Sequence, residues 1–331
     1  MRFATKTALC LAISALAGAT AAHADSSYLP YYVQDTSQNH LYAEITPVRQ
    51  PMNAAPASVA PSAVPEQQAS DPSAADQPVA APISDALYRY NNSMWVSAGE
   101  SELNYKEPVR PLPDSDHGGL ASLAVGADFL TRKNLYVAFD GSTSFGNGDY
   151  NGASFDANTG LFDIPARGTT RETVTNLNGK IGEGFGVHDD SMIIPYVDMG
   201  ARYWSRQIPN SPMENYQDYD VLGGLMVEFM PTQRLTISGY GELGTIFGAY
   251  LKTNNHNYDL GGSLTEKIGA KIGYSLTRQL ELFSTLDFDH FHYSASPAQT
   301  TTTNNVTTTS LEPSSATEDT AMRVGLAYHF R

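Results

Sequence analysis

Met322-Arg323-Val324-Gly325-Leu326-Ala327-Tyr328-His329-Phe330-Arg331 is the stretch on which the fold turns. Met322, Val324, Leu326, Tyr328 and Phe330 occupy alternate positions, and Arg323, Gly325, Ala327 and His329 fill the gaps. Successive side chains of a strand point to opposite faces, so this run builds one apolar face and one polar or small face. Such a strand belongs to a sheet with lipid or a core on one side and something polar on the other.

Working back from this strand, the chain repeats one pattern from about residue 92: a strand-like run, a short turn, another run, a long polar loop. The short turns are Leu130–Leu135, His188–Ser191, Met230–Leu235 and Leu276–Leu280, and the longer connections are 106–116, 147–171, 207–217, 252–258 and 294–318. Four short turns and five long loops join ten strands, with both ends of the run on the short-turn side. The pattern predicts an all-β fold, a transmembrane antiparallel up-and-down β-barrel of ten strands within a range of eight to twelve. Alternation assigns Leu260, Leu264, Ile268, Ile272 and Tyr274, and likewise Ile193, Pro195, Val197, Met199 and Tyr203, to the lipid face. Aromatics gather at both strand ends: Phe129, Phe229, Tyr274, Tyr328 and Phe330 at one, Phe145, Tyr203, Phe247, Tyr258 and Tyr293 at the other. Two girdles are expected where headgroups meet hydrocarbon. A soluble β-sandwich also alternates, but has neither girdles nor the asymmetry of loop length. Glu183 and Glu266 fall on the lipid face by period, which marks a bulge or an interfacial position at each.

The other end of the chain reads as a secretory signal peptide over residues 1–24: Arg2 and Lys6, an apolar run from Ala8 to Ala17, and the cleavage pattern Ala22-His23-Ala24. Its Cys10 is the chain's single cysteine, so the expected mature chain has neither disulfide nor thiolate chemistry. Residues 25–88 are expected to be a largely disordered leader, because 51–85 hold seven Pro and ten Ala in 35 positions, with no aromatic and no basic residue. Residues 89–331 are the expected barrel. Hydrophobic residues make up 41% and charged residues only 17%, with 27 Gly and 19 Tyr, a balance suited to a lipid-facing barrel. After residue 24 no run reaches the roughly 18 apolar residues of a spanning helix. A net charge of -15 makes nucleic acid a poor partner.

The same alternation assigns Asp128, Asp140, Lys180, Asp198, Arg202, Arg206, Asp220, Glu228, Glu242, Lys267, Lys271, Glu281, Asp287 and Arg323 to the lumen. That is eight acids against six bases, and charges buried in so narrow a barrel must pair. An internal salt-bridge network is therefore expected, with Arg323 paired to Glu281 or Asp287 on the ninth strand. No metal site and no cofactor site is assigned.

The closing strand resembles that of bacterial outer-membrane β-barrels, with Val324, Leu326, Tyr328 and Phe330 in the place of the signal that the barrel assembly machinery reads. Arg331 departs from the pattern, which ends on the aromatic. The runs Glu102-Leu103-Asn104-Tyr105-Lys106-Glu107-Pro108 and Gly146-Asn147-Gly148-Asp149-Tyr150-Asn151-Gly152 resemble small proteobacterial outer-membrane barrels of no assigned activity. The resemblance implies the Gram-negative outer membrane, with lipids and lipopolysaccharide as neighbours. It also implies a periplasmic leader, for which peptidoglycan or another periplasmic contact is the candidate partner. Ten strands also resemble the omptin proteases, whose site sets an Asp pair against an Asp-x-His pair at the rim. Here the ninth strand carries Asp287, Asp289, His290 and His292, without Asp-x-His, so these four are candidates and no catalytic set is assigned. The expected role is structural or surface-interacting, with small-solute passage. The alternatives are a narrow porin-like channel and an omptin-like or lipid-modifying rim hydrolase.

Overall fold

The computed structural model describes residues 82–108, 112–156, 161–209, 211–253, 256–303 and 306–330. The expected signal peptide, Cys10 and the leader as far as residue 81 lie outside the described residues, as does Arg331. Among the described residues one helix, α1 (Asp85–Tyr90), precedes fourteen strands: β1 (Asn92–Glu107), β2 (Asp114–Leu130), β3 (Leu135–Asp156), β4 (Leu161–Glu183), β5 (Phe185–His188), β6 (Ser191–Gln207), β7 (Met213–Phe229), β8 (Leu235–Thr253), β9 (His256–Asp259), β10 (Leu264–Ser275), β11 (Leu280–Tyr293), β12 (Gln299–Thr303), β13 (Val306–Ser310) and β14 (Ser315–His329).

Each strand pairs antiparallel with its neighbours, and β14 returns to pair with β1 from Ser93↔His329 to Lys106↔Ala316. The result is a closed barrel of ten staves, in which β5 continues β4 past Gly184 and β9 leads into β10 along β8. Closure removes the sheet edges and pairs backbone groups between strands, which a chain surrounded by hydrocarbon requires. The strands β12 and β13 form a separate hairpin above the barrel, within the connection from β11 to β14.

Alternation sorts the faces as expected for β14: Val324 is 52% exposed, whereas Ala327 is 0% exposed. Every stave contributes an outward apolar side chain at mid-height. Val96, Val125, Phe139, Leu177, Val197, Leu225, Leu243, Ile272, Leu286 and Val324 are each 44–59% exposed. An apolar band around the whole circumference is far larger than the patches a water-soluble monomer leaves uncovered, and it matches a bilayer. Phe129, Tyr274 and Tyr328 rim it at the short-turn end, and Phe145, Tyr203, Tyr219 and Phe247 at the long-loop end.

Four expectations need correction. The strands run further than their loops suggested: β3 and β4 extend through most of 147–171, because their polar residues still alternate and pair from Asn147↔Arg171 to Ala153↔Pro165. Tyr258 and Tyr293 are buried inside rather than set in the outer girdle. Tyr293 shares the inward parity of Asp287. Leu260 is also buried, because the chain breaks period at Gly261 and Gly262 between β9 and β10. The last residues of the expected leader are not irregular: Ser84 caps α1, accepting from the Leu87 amide. Glu183 lies next to the Gly184 break, and Glu266 lies near the long-loop end against His290.

Gly248 is the one described glycine with positive φ, at 59°. It sits where the β7–β8 register slips between Gln217 and Tyr219, and a left-handed residue at a bulge suits glycine. The extra residue turns Ala249 and Leu251 inward together with Ile246, all of them buried.

Candidate functional site: the barrel interior

The lumen is built in three levels. At the long-loop end an apolar and aromatic cluster fills it, including Leu103, Tyr105, Leu120, Trp204, Tyr216, Ile246, Leu251, Phe291 and Tyr293. Rings stack in series: Trp204 on Tyr216 at 4.8 Å and Tyr216 on Tyr293 at 5.7 Å between centroids. Arg206 is threaded through this cluster, 4.2 Å from the Tyr105 ring centre, with its Nη2 2.8 Å from Glu214 Oε2. A planar guanidinium can stack on a ring face and keep its edge for a carboxylate, which Lys cannot do.

At the short-turn end α1 lies in the mouth. Ile83 and Leu87 join Leu130, Tyr136, Met192, Ile194, Tyr196 and Met230 in a second apolar cluster. The helix is only six residues long, so packing and capping hold it rather than propensity. Asn91 donates to Glu228 Oε2 at 2.6 Å, and Tyr90 lies beneath the Lys271 ammonium, 4.8 Å from the ring centre. Leu87 is 0% exposed, so Leu87→Ala should weaken docking of α1 by about 2–5 kcal/mol. Limited proteolysis should then cut the segment ahead of β1 while the barrel survives; unchanged protection would show that α1 is held by something else.

Between the two clusters lies a cavity of about 240 Å³, lined by charged, polar and aromatic side chains. The structure places all fourteen sequence-assigned lumen charges inside the barrel, and most meet a partner. Lys180 Nζ is 2.6 Å from Glu242, Lys267 Nζ 3.0 Å from Asp220, Lys271 Nζ 3.3 Å from Glu281, and Arg323 Nη1 3.1 Å from Asp287. Asp128 accepts from Trp95 at 3.0 Å and Tyr136 at 2.9 Å, and Asp140 accepts from Asn178 at 2.8 Å. Arg202 pairs with Asp289 at 2.6 Å. Asp198 makes no hydrogen bond, and its nearest cations, Lys180 and Lys267, stand 3.9 Å away.

The near balance of sign expected for the lumen is not what the interior holds. Glu107, Asp116, Glu172 and Asp218 are also buried inside, and Asp289 and Asp319 line the cavity. Glu107 and Asp116 escaped because the connection 106–116 was drawn where β1 and β2 continue. Carrying the period of two upward from Asp220 reaches Asp218, and from Arg323 reaches Asp319. The omitted signal was parity.

The four rim candidates are divided by the wall of the barrel. Asp287 and Asp289 face the lumen, on Arg323 and Arg202. His290 and His292 face outward, their ring centres 4.5 Å apart, with His290 Nδ1 3.1 Å from Glu266. No Asp and His of this set share a side. Among the described residues no group of three or more His, Cys, Asp or Glu is arranged to hold a metal ion.

No protein-family model matches the chain, and no curated protein matches it. Solved structures of similar shape include the outer membrane protease OmpT from Escherichia coli, at 8% identity over 72% of this chain and 97% of that one, with a TM-score of 0.49. They also include the translocator domain of the autotransporter NalP from Neisseria meningitidis, at 12% identity over 72% and 88%, with a TM-score of 0.33. Neisserial surface protein A is a third, at 10% identity over 72% and 97%, with a TM-score of 0.26.

Proposed function

We propose that this chain is an integral outer-membrane barrel with a structural or surface-interaction role and a filled lumen. In this reading the short-turn end and the leader are periplasmic, and the end bearing the β12–β13 hairpin stands at the cell surface. The observation that carries it is the closing of the lumen twice, by α1 with its apolar cluster and by the aromatic cluster around Arg206. A narrow porin-like channel for small solutes needs a continuous wet path, and both clusters count against one. Rim hydrolysis by the ninth-strand residues needs acid and histidine on one side, and here the wall separates them. Long strands above the apolar band and a Thr-rich hairpin in the longest connection suit a protein that presents surface rather than one that conducts.

Cell fractionation tests the assignment. The protein should partition with outer membranes and run faster unheated than boiled on a denaturing gel. Protease added to intact cells should cut within 294–314 and leave α1 untouched. Recovery in the soluble periplasm, or cleavage at α1 from outside, would sink the reading.

A further inference from the structure

The short-turn end carries a charge opposite to that of the chain as a whole. The net charge is -15, yet three of the four short turns present an exposed arginine: Arg132, Arg234 and Arg278. The fourth, His188–Ser191, presents Asp189 and Asp190 instead. At this end, beside α1, lies a cleft of about 870 Å³ whose walls include Arg89, Arg132, Arg278, Asp85, Tyr88 and Gln279. Its charged lining is three arginines against Asp85 alone. Asp85 is taken by Arg132, at 2.7 Å, and Arg132 also lies 4.7 Å from the Tyr88 ring centre. Arg89 and Arg278 pair with no acid among the described residues.

The chain itself supplies a matching anion. Asp85 belongs to the expected leader, and its contact with Arg132 is already a leader carboxylate seated on a turn arginine. The residues ahead of it repeat that chemistry: 51–81 contain Glu66, Asp71 and Asp76 and no basic residue. They join the described chain at Pro82, and Asp85 soon after stands on the wall of the cleft. From Asp76 to Pro82 an extended, proline-type chain spans about 19 Å, and from Asp71 about 34 Å, enough to turn back into a neighbouring cleft. Pro65, Pro72 and Pro78 restrict the backbone, so seating this segment costs less entropy than seating a glycine-rich one. A single exposed ion pair is weak, but a tether this short holds the acids at an effective concentration of about millimolar.

We propose that the acidic segment 66–76 docks in this cleft, with Asp71 and Asp76 on Arg89 and Arg278, and thereby holds α1 in the mouth of the barrel. This goes beyond the structural role proposed above and does not rest on it, since cleft and segment share the short-turn end whichever compartment that end faces.

Cysteine pairing in the full-length protein in detergent micelles tests it, with Cys10→Ser so that only introduced thiols react. Gln77→Cys with Gln279→Cys should form an intramolecular disulfide at least about tenfold faster than Gln77→Cys with Asp189→Cys on the acidic turn. Each rate is divided by that turn thiol's rate with iodoacetamide, which removes the effect of neighbouring charge on the thiol itself. Arg278→Glu should slow the first pairing about tenfold, and Asp76→Lys added to it should restore most of the rate. Slower migration of each variant after boiling checks that its barrel has folded. Equal rates at the two turns, or a rate indifferent to Arg278→Glu, would overturn the proposal. So would a disulfide formed only between chains, which would assign the cleft to a second copy. Protection of Gln279→Cys from maleimide that requires phosphatidylglycerol and survives Asp71→Lys with Asp76→Lys would assign it to a lipid headgroup and overturn the proposal as well.

Discussion

Arg206→Ala should destabilise the barrel by about 3–5 kcal/mol, the cost of removing one partner from a buried ion pair. Arg206 is 1% exposed, and its guanidinium is the common partner of Glu214 and of the rings of Tyr105, Trp204 and Tyr216. Tyr105 in turn donates to Glu107, and Tyr216 donates to Glu312 at 3.2 Å. Without the cation, several carboxyl groups share one dry site with no compensating charge. Urea unfolding in lipid vesicles measures the loss, and an unchanged midpoint would remove Arg206 from its place at the centre of the upper cluster. Adding Glu214→Gln to Arg206→Ala should restore part of the stability, because the two side chains act as a pair.

The same cluster makes the β11–β14 connection sensitive to pH. Burial, with Glu107 and Glu214 nearby, pushes the Glu312 carboxyl well above the usual carboxylate range. A carboxyl raised on folding binds its proton more tightly in the docked state. Its contribution is then complete below the ordinary carboxylate pKa and is lost as pH rises through the raised value. Hydrogen exchange in 311–314 should accordingly quicken as pH rises, beyond the intrinsic base dependence of exchange.

Val324→Arg should cost about 2–4 kcal/mol in a bilayer, whereas Thr320→Arg on the same face of the same strand should cost about 0–1 kcal/mol. Val324 lies at mid-belt, between Ala98 of β1 and Ser284 of β11, and is 52% exposed. Thr320 is two outward positions higher, opposite Glu102. A charge at mid-belt faces hydrocarbon, while the higher one reaches the headgroups and water. Folding yields and urea midpoints in vesicles give both numbers. A water-soluble barrel would tolerate the two substitutions alike, so equal effects would refute the lipid-facing assignment.

The period of two made much of this molecule legible. It separated Val324 and Leu326 from Arg323 and His329, and it placed fourteen charged residues on one face of the sheet. Counting turns then closed ten staves. It failed where local chemistry looked loop-like but the sheet continued, as in the Gly- and Asn-rich run from Gly146 to Gly152, whose pairing partner lies in β4. It also failed at irregularities: Gly248 and the Gly261-Gly262 pair each reverse the faces, and nothing in the neighbouring residues announces it. A polar network with Arg323 on Asp287 was expected, but the three-level filling of the lumen as a whole was not readable. It depends on which inward residues meet across the barrel, such as Lys180 with Glu242, 62 positions apart. The helix α1 was hidden for another reason: a six-residue segment after a Pro/Ala-rich run has little propensity of its own and is held by the mouth it enters.

Planar-bilayer recording of the full-length protein tests the filled lumen most directly. With α1 seated at one end and the Arg206 cluster at the other, the account predicts a flat baseline without stepwise conductance at any voltage the bilayer tolerates. Reproducible unit steps from the pure protein would contradict it.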